Sequence, residues 1–283
     1  MVKLKEFALK RPFLFGLLLI VVYSILSALS YPVHYLFPEN ELGQLYGDAL
    51  GKFLIFLVML FFLWRFGWLE ASRISRFGRI NVWLVIAPVM IYKVLSWLFS
   101  FTGDISIAFP DTGLALANLI FPFQTSLVEE IMFRGFVLTA MMIAWGNTKQ
   151  GQFKAVVLSS AFFGLMHMFN LLVRPIGVVL SQALIATLPG ILYAAIALRY
   201  KTLWPAIIIH WFTNAAINIK LIGIDSFQES LTDWGVAAAF MVPLLVLGFY
   251  WVWKLPDDYR SKNYDKTVLS SLPSFIPGRT VTI

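Results

Sequence analysis

The chain has 283 residues, 59% of them hydrophobic and only 13% charged, with a formal net charge of +7 and no cysteine. Soluble domains run at about 45–50% apolar and about 25% charged, so this composition excludes a secreted domain, a cytosolic enzyme, a disordered chain and a nucleic-acid binder. What remains is an all-α polytopic membrane helix bundle. The missing thiols also exclude disulfides, Cys-bound zinc, iron–sulfur clusters and thiol nucleophiles.

One bilayer crossing needs about 20 apolar residues, and eight apolar segments stand out: 12–37, 49–64, 82–101, 113–145, 153–173, 176–198, 203–222 and 234–253. The first begins like a signal peptide, with a basic start, a Leu-rich run and small residues near 27–30. Its apolar stretch continues past Tyr31 to Phe37, which favours a retained anchor. The fourth is too long for one straight crossing, and Pro122 inside it predicts a kink or a short lead-in helix. Pro189 and Pro205 predict helix bends or starts. The expected organisation is three N-terminal membrane helices (1–112), a core of four (113–222), an eighth helix (223–255) and a polar tail (256–283).

Charge sets the orientation. Lys3, Lys5, Lys10 and Arg11 precede the first segment, and Arg65, Arg73, Arg76 and Arg79 follow the second. Lys149, Lys154, Arg199 and Lys201 occupy later loops on the same side. Lys254, Arg260, Lys262, Lys266 and Arg279 complete that side, which holds 17 of the 22 basic residues. Lys52, Arg174 and Lys220 fall on the other side, with Glu39, Glu41, Asp48, Asp104, Asp111, Asp225, Glu229 and Asp233. The positive-inside rule then predicts eight crossings with both termini cytoplasmic. The basic excess reports topology, not an acidic partner. The compact length suits a bacterial cytoplasmic membrane.

Four charges fall within the predicted crossings: Lys93, Glu129, Glu130 and Arg134, together with His167 and His210. An ionisable group at mid-bilayer costs about 2.5–3.5 kcal/mol on the insertion scale, so such groups face a bundle interior or a wet cavity. Glu130 and Arg134 lie four apart and share a helix face. Glu129 is rotated by about 100° from Glu130, which leaves Glu130 to the arginine and Glu129 to a cavity. His210 and Asn214 also share a face. At 1.5 Å per residue His167 lies ~20 Å, His210 ~11 Å and Glu129 ~24 Å along their segments, all within the hydrocarbon layer. A carboxylate, an imidazole and a His–Asn pair from three helices supply a base for water and donors for an oxyanion. Ser160 and Gly164 form a small-xxx-small pair for close helix packing. Lys93 reads as a packing or snorkelling residue, His34 as interfacial, and Trp64, Trp68, Trp204 and Trp253 as lying near the interfaces.

Three stretches then carry a resemblance. Glu129-Glu-Ile-Met-Phe-Arg134 matches EExxxR, Phe163-Gly-Leu-Met-His167 matches FxxxH, and His210-Trp-Phe-Thr-Asn214 matches HxxxN. In that order on successive membrane helices, they resemble the CPBP family of CAAX proteases and bacteriocin-processing enzymes, over residues 121–220. The resemblance implies an intramembrane glutamic endopeptidase, related to type II CAAX prenyl proteases, acting on a membrane-associated, prenylated or bacteriocin-like substrate. It implies Glu129 as general base, His167 as a holder of the water, and His210 with Asn214 as the oxyanion site. Glu130 and Arg134 would organise the site, and Phe163 would pack within it. No cofactor is expected. If zinc took part, Glu129, His167 and His210 would be its ligands, although HExxH is absent. A non-enzymatic immunity or scaffold protein and an ion-coupled transporter stay open as alternatives, since acids and histidines in membrane helices also mark ion pathways.

Overall fold

The computed structural model describes residues 2–100, 112–172, 174–222 and 231–264, and every regular element among them is helical. The chain order is α1 (Val2–Lys10), α2 (Pro12–Ser30), α3 (Glu41–Phe66), α4 (Ile80–Ser100), α5 (Thr112–Glu130), α6 (Thr139–Trp145), α7 (Lys149–Met166), α8 (Ile176–Tyr200), α9 (Trp204–Ile222), α10 (Leu231–Trp253) and α11 (Tyr259–Asn263). Short 3₁₀ turns extend α2 over Tyr31–Leu36 and α7 over His167–Leu172, and a π-helix over Ile131–Leu138 joins α5 to α6. Asp104, Asp111, Asp225, Glu229, Lys266 and Arg279 lie outside the described residues.

Each of the eight apolar segments coincides with a helix. By length and composition, five of the described helices are apolar enough to cross a membrane: Pro12–Leu36, Glu41–Phe66, Lys149–Leu172, Ile176–Tyr200 and Gly235–Trp253. A shorter apolar helix covers Ile80–Lys93. The chain is therefore a helical integral membrane protein. Large apolar side chains such as Val21, Ile25, Phe61, Leu84, Val242 and Val246 lie exposed along α2, α3, α4 and α10, as a lipid-facing surface requires.

The basic segments converge on one end of the bundle. Lys5 of α1, Arg73 and Arg76 after α3, Lys201 after α8, and Lys262 of α11 line a single cavity. At the same end, Lys149 at the start of α7 donates to the Trp253 and Leu255 carbonyls that finish α10.

The middle of the bundle is the α5–π–α6 rod. Every residue from 126 to 143 is buried, so this stretch is enclosed by protein on all sides. α3 and α9 pack along α5, α7 packs on the π segment, and α7, α8 and α10 form the neighbouring layer. The rod differs from the expected geometry. α5 runs on through Pro122, and the departure from α-helical pairing comes at Ile131–Leu138. A π turn leaves main-chain groups differently paired, and the Thr139 hydroxyl caps the Arg134 carbonyl at 3.1 Å. Pro205 stands in the first turn of α9, as expected, while Pro189 lies within α8.

Local chemistry sets α3. Asn40 caps its start by accepting from the Gly43 N–H at 2.8 Å. Gly67, at φ 69, ends it in the left-handed conformation with its N–H on the last-turn carbonyls. Along one face, a Cβ on Gly43 would collide with Pro38, one on Gly47 would meet His34, and one on Gly51 would meet Ser30. This glycine stripe lets α3 press against the end of α2 and its 3₁₀ extension. The helix thus begins at Glu41, ahead of the expected residue 49. Lys52, expected among the charges outside the crossings, is an interior residue of α3, and His34 lies beside Asp48, Nε2 to Oδ1 3.1 Å. Trp68 is a packing residue, fully buried against Phe15 and Phe66.

Candidate active site

The acids sit where α5 passes into the π segment. Glu130 is completely buried, and its Oε1 accepts from Arg134 Nη1 and from His210 Nδ1, each at 3.0 Å. Arg134 completes its anchoring through Nη2, which donates to the Gly190 carbonyl at 3.0 Å. Its guanidinium also lies over the Phe163 ring at 4.7 Å and the Tyr193 ring at 5.4 Å. A buried charge needs an opposite charge and hydrogen bonds together. This one has a carboxylate, a carbonyl and two ring faces.

Glu129 is placed differently. It keeps 7% exposure where Glu130 has none. Its Oε2 lies 3.6 Å from His210 Nε2, beyond a formed hydrogen bond. His210 is therefore held between the two carboxylates, with Nδ1 on Glu130 and Nε2 toward Glu129. The Tyr193 ring stacks on its imidazole at 5.6 Å and 22°, and Phe163 meets it edge-on at 5.3 Å. A carboxylate cannot donate, so Nδ1 carries a proton.

One turn further along α9, Asn214 Nδ2 donates to Ser126 Oγ at 3.1 Å. Ser126 lies one turn before Glu130 on α5, so two rungs, Ser126–Asn214 and Glu130–His210, tie α5 to α9. His167 begins the 3₁₀ turn after α7. Its Nδ1 lies 3.0 Å from the Phe163 carbonyl, and its ring meets the Phe163 ring edge-on at 5.4 Å. A carbonyl only accepts, so Nδ1 is again the donor and Nε2 faces away from that bond. Glu129, Glu130, Arg134, His210 and Phe163 thus form one contiguous cluster. Asn214 adjoins it through Ser126, and His167 through Phe163.

Close helix contact makes this geometry possible. A Cβ on Gly164 would collide with Thr187 Oγ1 and the Ala183 carbonyl of α8. A Cβ on Gly190 would meet Arg134 Nη2 at 3.0 Å and Ser160 Cβ at 3.1 Å. The small residues Ser160 and Gly164 of α7 therefore do seat α8 tightly, and this brings the Gly190 carbonyl and Tyr193 onto Arg134.

The interior holds a further charge that sequence reasoning counted outside the crossings. Lys52 Nζ donates to the Tyr23 hydroxyl and lies 4.7 Å from the Tyr23 ring centroid. The Lys52 ammonium lies within electrostatic reach of Glu129. Ser126, Gly190 and Tyr193 were also missed. Ser126 had a signal, its four-residue spacing from Glu130. Gly190 and Tyr193 had none within the motifs. Lys93 is buried, with Nζ 3.1 Å from Met241 Sδ, and fastens α4 to α10.

Among the described residues, no three His, Cys, Asp or Glu side chains are gathered as a metal-binding group. Glu129, His167 and His210, the set that could serve zinc, come singly from three segments, and His210 commits Nδ1 to Glu130.

The fold and the cluster define a helical membrane protein with a buried acid–imidazole site. Residues 111–216 match the family model described as Type II CAAX prenyl endopeptidase Rce1-like, so this segment is similar to that family. The segment spans α5 to α9 and contains every motif residue above. No curated protein and no solved structure matches the chain.

Proposed function

We propose that the protein is an intramembrane endopeptidase in which Glu129 activates water against a peptide bond of a membrane-associated substrate. One observation carries the reading. Two adjacent carboxylates have unlike surroundings, Glu130 spent on Arg134 and His210, and Glu129 left partly accessible with its Oε2 at 3.6 Å from His210 Nε2. The family match supports peptidase chemistry in general.

In the proposed reaction Glu129 takes a proton from water as the new C–O bond forms. His167, with Nδ1 on the Phe163 carbonyl, presents Nε2 to hold that water. The carbonyl oxygen becomes an oxyanion beside His210 and Asn214. His210 donates from both ring nitrogens only as an imidazolium. The Asn214 amide has a second N–H beyond the one given to Ser126. Collapse breaks the C–N bond, and Glu129 returns its proton to the leaving amine. A positioned base contributes about 10²–10⁴ in rate, and an oxyanion donor about 10²–10³. Glu130, Arg134 and Phe163 hold the frame.

In this reading eight helices cross the cytoplasmic membrane of a bacterium, with the basic end inside. The substrate is a peptide or lipidated tail that enters laterally, prenylated or bacteriocin-like. The mechanism takes no metal, so 1,10-phenanthroline leaves activity intact; inhibition reversed by zinc would overturn it. The decisive comparison is N- and C-terminal peptidomics of membranes holding equal amounts of the native protein and of Glu129→Gln. New termini present only with the native protein are expected. Identical termini in both would instead favour a non-enzymatic immunity or scaffold role.

A further inference from the structure

The cavity at the basic end of the bundle measures about 540 Å³, within the range of about 300–1,000 Å³ usual for small-molecule sites. It is lined by Lys5, Gly67, Glu70, Ala71, Arg73, Arg76, Lys201, Lys262, Asn263 and Tyr264. Four separate parts of the chain contribute cations to it, and the lining holds one carboxylate. That carboxylate, Glu70, reaches only Arg76, at 3.8 Å between two exposed side chains. Lys262 pairs outside the lining with Asp258 at 3.1 Å. Lys5, Arg73 and Lys201 have no carboxylate partner among the described residues.

Arg73 is the unusual member. It is buried, at 5% exposure. Its guanidinium donates to the Tyr259 hydroxyl at 2.7 Å and lies over the Tyr259 and Tyr264 rings at 5.7 and 5.6 Å. The Tyr259 hydroxyl in turn donates to the Leu198 carbonyl at 2.6 Å. These contacts fix the fork but leave its charge without a carboxylate counter-ion among the described residues, a costly state for a buried group. The backbone is committed too. Arg73 at φ 66 and Lys201 at φ 55 are the two non-glycine residues with left-handed backbone among the described residues. The Leu203 N–H joins their loops through the Arg73 carbonyl at 3.3 Å. Burial also pushes the Lys5 ammonium below the ordinary lysine value, as happens to a cation with no anion beside it.

We propose that this cavity binds a phosphate-bearing anion, with Arg73 as its deepest contact and Lys5, Lys201 and Lys262 around it. Five cations against one carboxylate call for more than one negative charge, which a phosphate group carries in compact form. A fixed guanidinium fork matches its oxygens. Two sources share this chemistry. One is an anionic lipid headgroup at the basic face of the bundle, where such pockets are suited to phospholipids. The other is a soluble phosphate compound. The site is separate from the acid–imidazole cluster and does not depend on the peptidase reading.

The test uses the full-length purified protein in neutral detergent and reads binding by native mass spectrometry and by the shift in thermal midpoint. One arm titrates dioleoylphosphatidylglycerol against dioleoylphosphatidylcholine. The other titrates pyrophosphate against sodium chloride at matched ionic strength. Since Arg73→Gln removes a core side chain, the main variant is Lys5→Gln/Lys201→Gln/Lys262→Gln. A control, Arg65→Gln/Lys154→Gln/Lys254→Gln, removes the same charge from the same end outside the cavity. The native protein and the control should bind at least one anion in preference to its neutral counterpart, and the cavity variant should lose about tenfold or more in affinity. A response to the lipid alone identifies the headgroup; a response to pyrophosphate identifies a soluble ligand. The proposal is overturned if neither anion is preferred, if the cavity variant binds like the native protein, or if the control loses as much.

Discussion

Glu130 Oε1 receives both Arg134 Nη1 and His210 Nδ1 at 3.0 Å, so one fully buried oxygen joins the ion pair of the central rod to the imidazole of α9. Its neighbour Glu129 makes neither contact. The two carboxylates should therefore fail differently. Glu130→Gln leaves the Arg134 charge without its counter-ion and should lower stability by about 3–5 kcal/mol, the usual cost of halving a buried pair. Glu129→Gln should cost less than about 1 kcal/mol and yet remove cleavage. Thermal unfolding and peptide cleavage in proteoliposomes, measured side by side, check both. Equal destabilisation by the two variants would contradict the division of roles.

Gly190 makes the Arg134 seat. An added Cβ would stand 3.0 Å from Nη2 and 3.1 Å from Ser160 Cβ, and Arg134 cannot swing aside because Glu130, the Gly190 carbonyl and two rings hold it. Gly190→Ala should cost about 1–3 kcal/mol as overpacking and reduce cleavage through the shifted guanidinium. A stability like that of the native protein would mean that the α8 backbone can move away freely. Unfolding in detergent reads the difference.

Much of this was legible in the chain itself, because apolar runs of bilayer length and four-residue spacings are local signals. The eight apolar segments all lie on helices, and the Glu130–Arg134 and Ser160–Gly164 spacings appear as contacts. What escaped is instructive. Lys52 was counted with the charges outside the crossings because it stands only three residues inside the expected 49–64 segment, and hydropathy does not register the Asn40 cap or the Gly43, Gly47, Gly51 stripe that carry α3 back to Glu41. Gly190 and Tyr193 escaped because their roles exist only once α8 lies against α7, a tertiary event without local spacing. The π segment escaped because Pro122 was the visible irregularity, while the change of pairing occurs at Ile131–Leu138.

The Lys52–Tyr23 pair joins α3 to α2 outside the family-matched segment, with the ammonium within electrostatic reach of Glu129. If the ammonium only anchors the tyrosine, Tyr23→Phe and Lys52→Met should each alter stability alone. A charge within electrostatic reach of Glu129 predicts more. Lys52→Met should reduce kcat with little change in KM, Lys52→Arg should restore part of it, and the double variant should deviate from additivity by about 0.5–3 kcal/mol. Steady-state cleavage kinetics of the four proteins provide the measurement. Native kcat in Lys52→Met would remove the lysine from the site.

Gly164 lies where α7 and α8 approach closely, and a Cβ there would collide with Thr187 Oγ1 and with the Ala183 carbonyl. The hydroxyl can rotate or be deleted, but the carbonyl belongs to the backbone and cannot. Gly164→Ala should therefore push the helices apart, at about 1–3 kcal/mol. It should also carry Phe163 and His167, the neighbouring residues on α7 and its 3₁₀ extension, away from Arg134 and His210. Thr187→Ala added to Gly164→Ala should recover only part of the stability, because Ala183 still blocks the approach. Full recovery would place the whole constraint on the threonine. Thermal unfolding of the single and double variants, read together with cleavage, separates a backbone limit from a side-chain one. A stable Gly164→Ala that cleaves normally would mean that this helix contact does not set the position of the histidine.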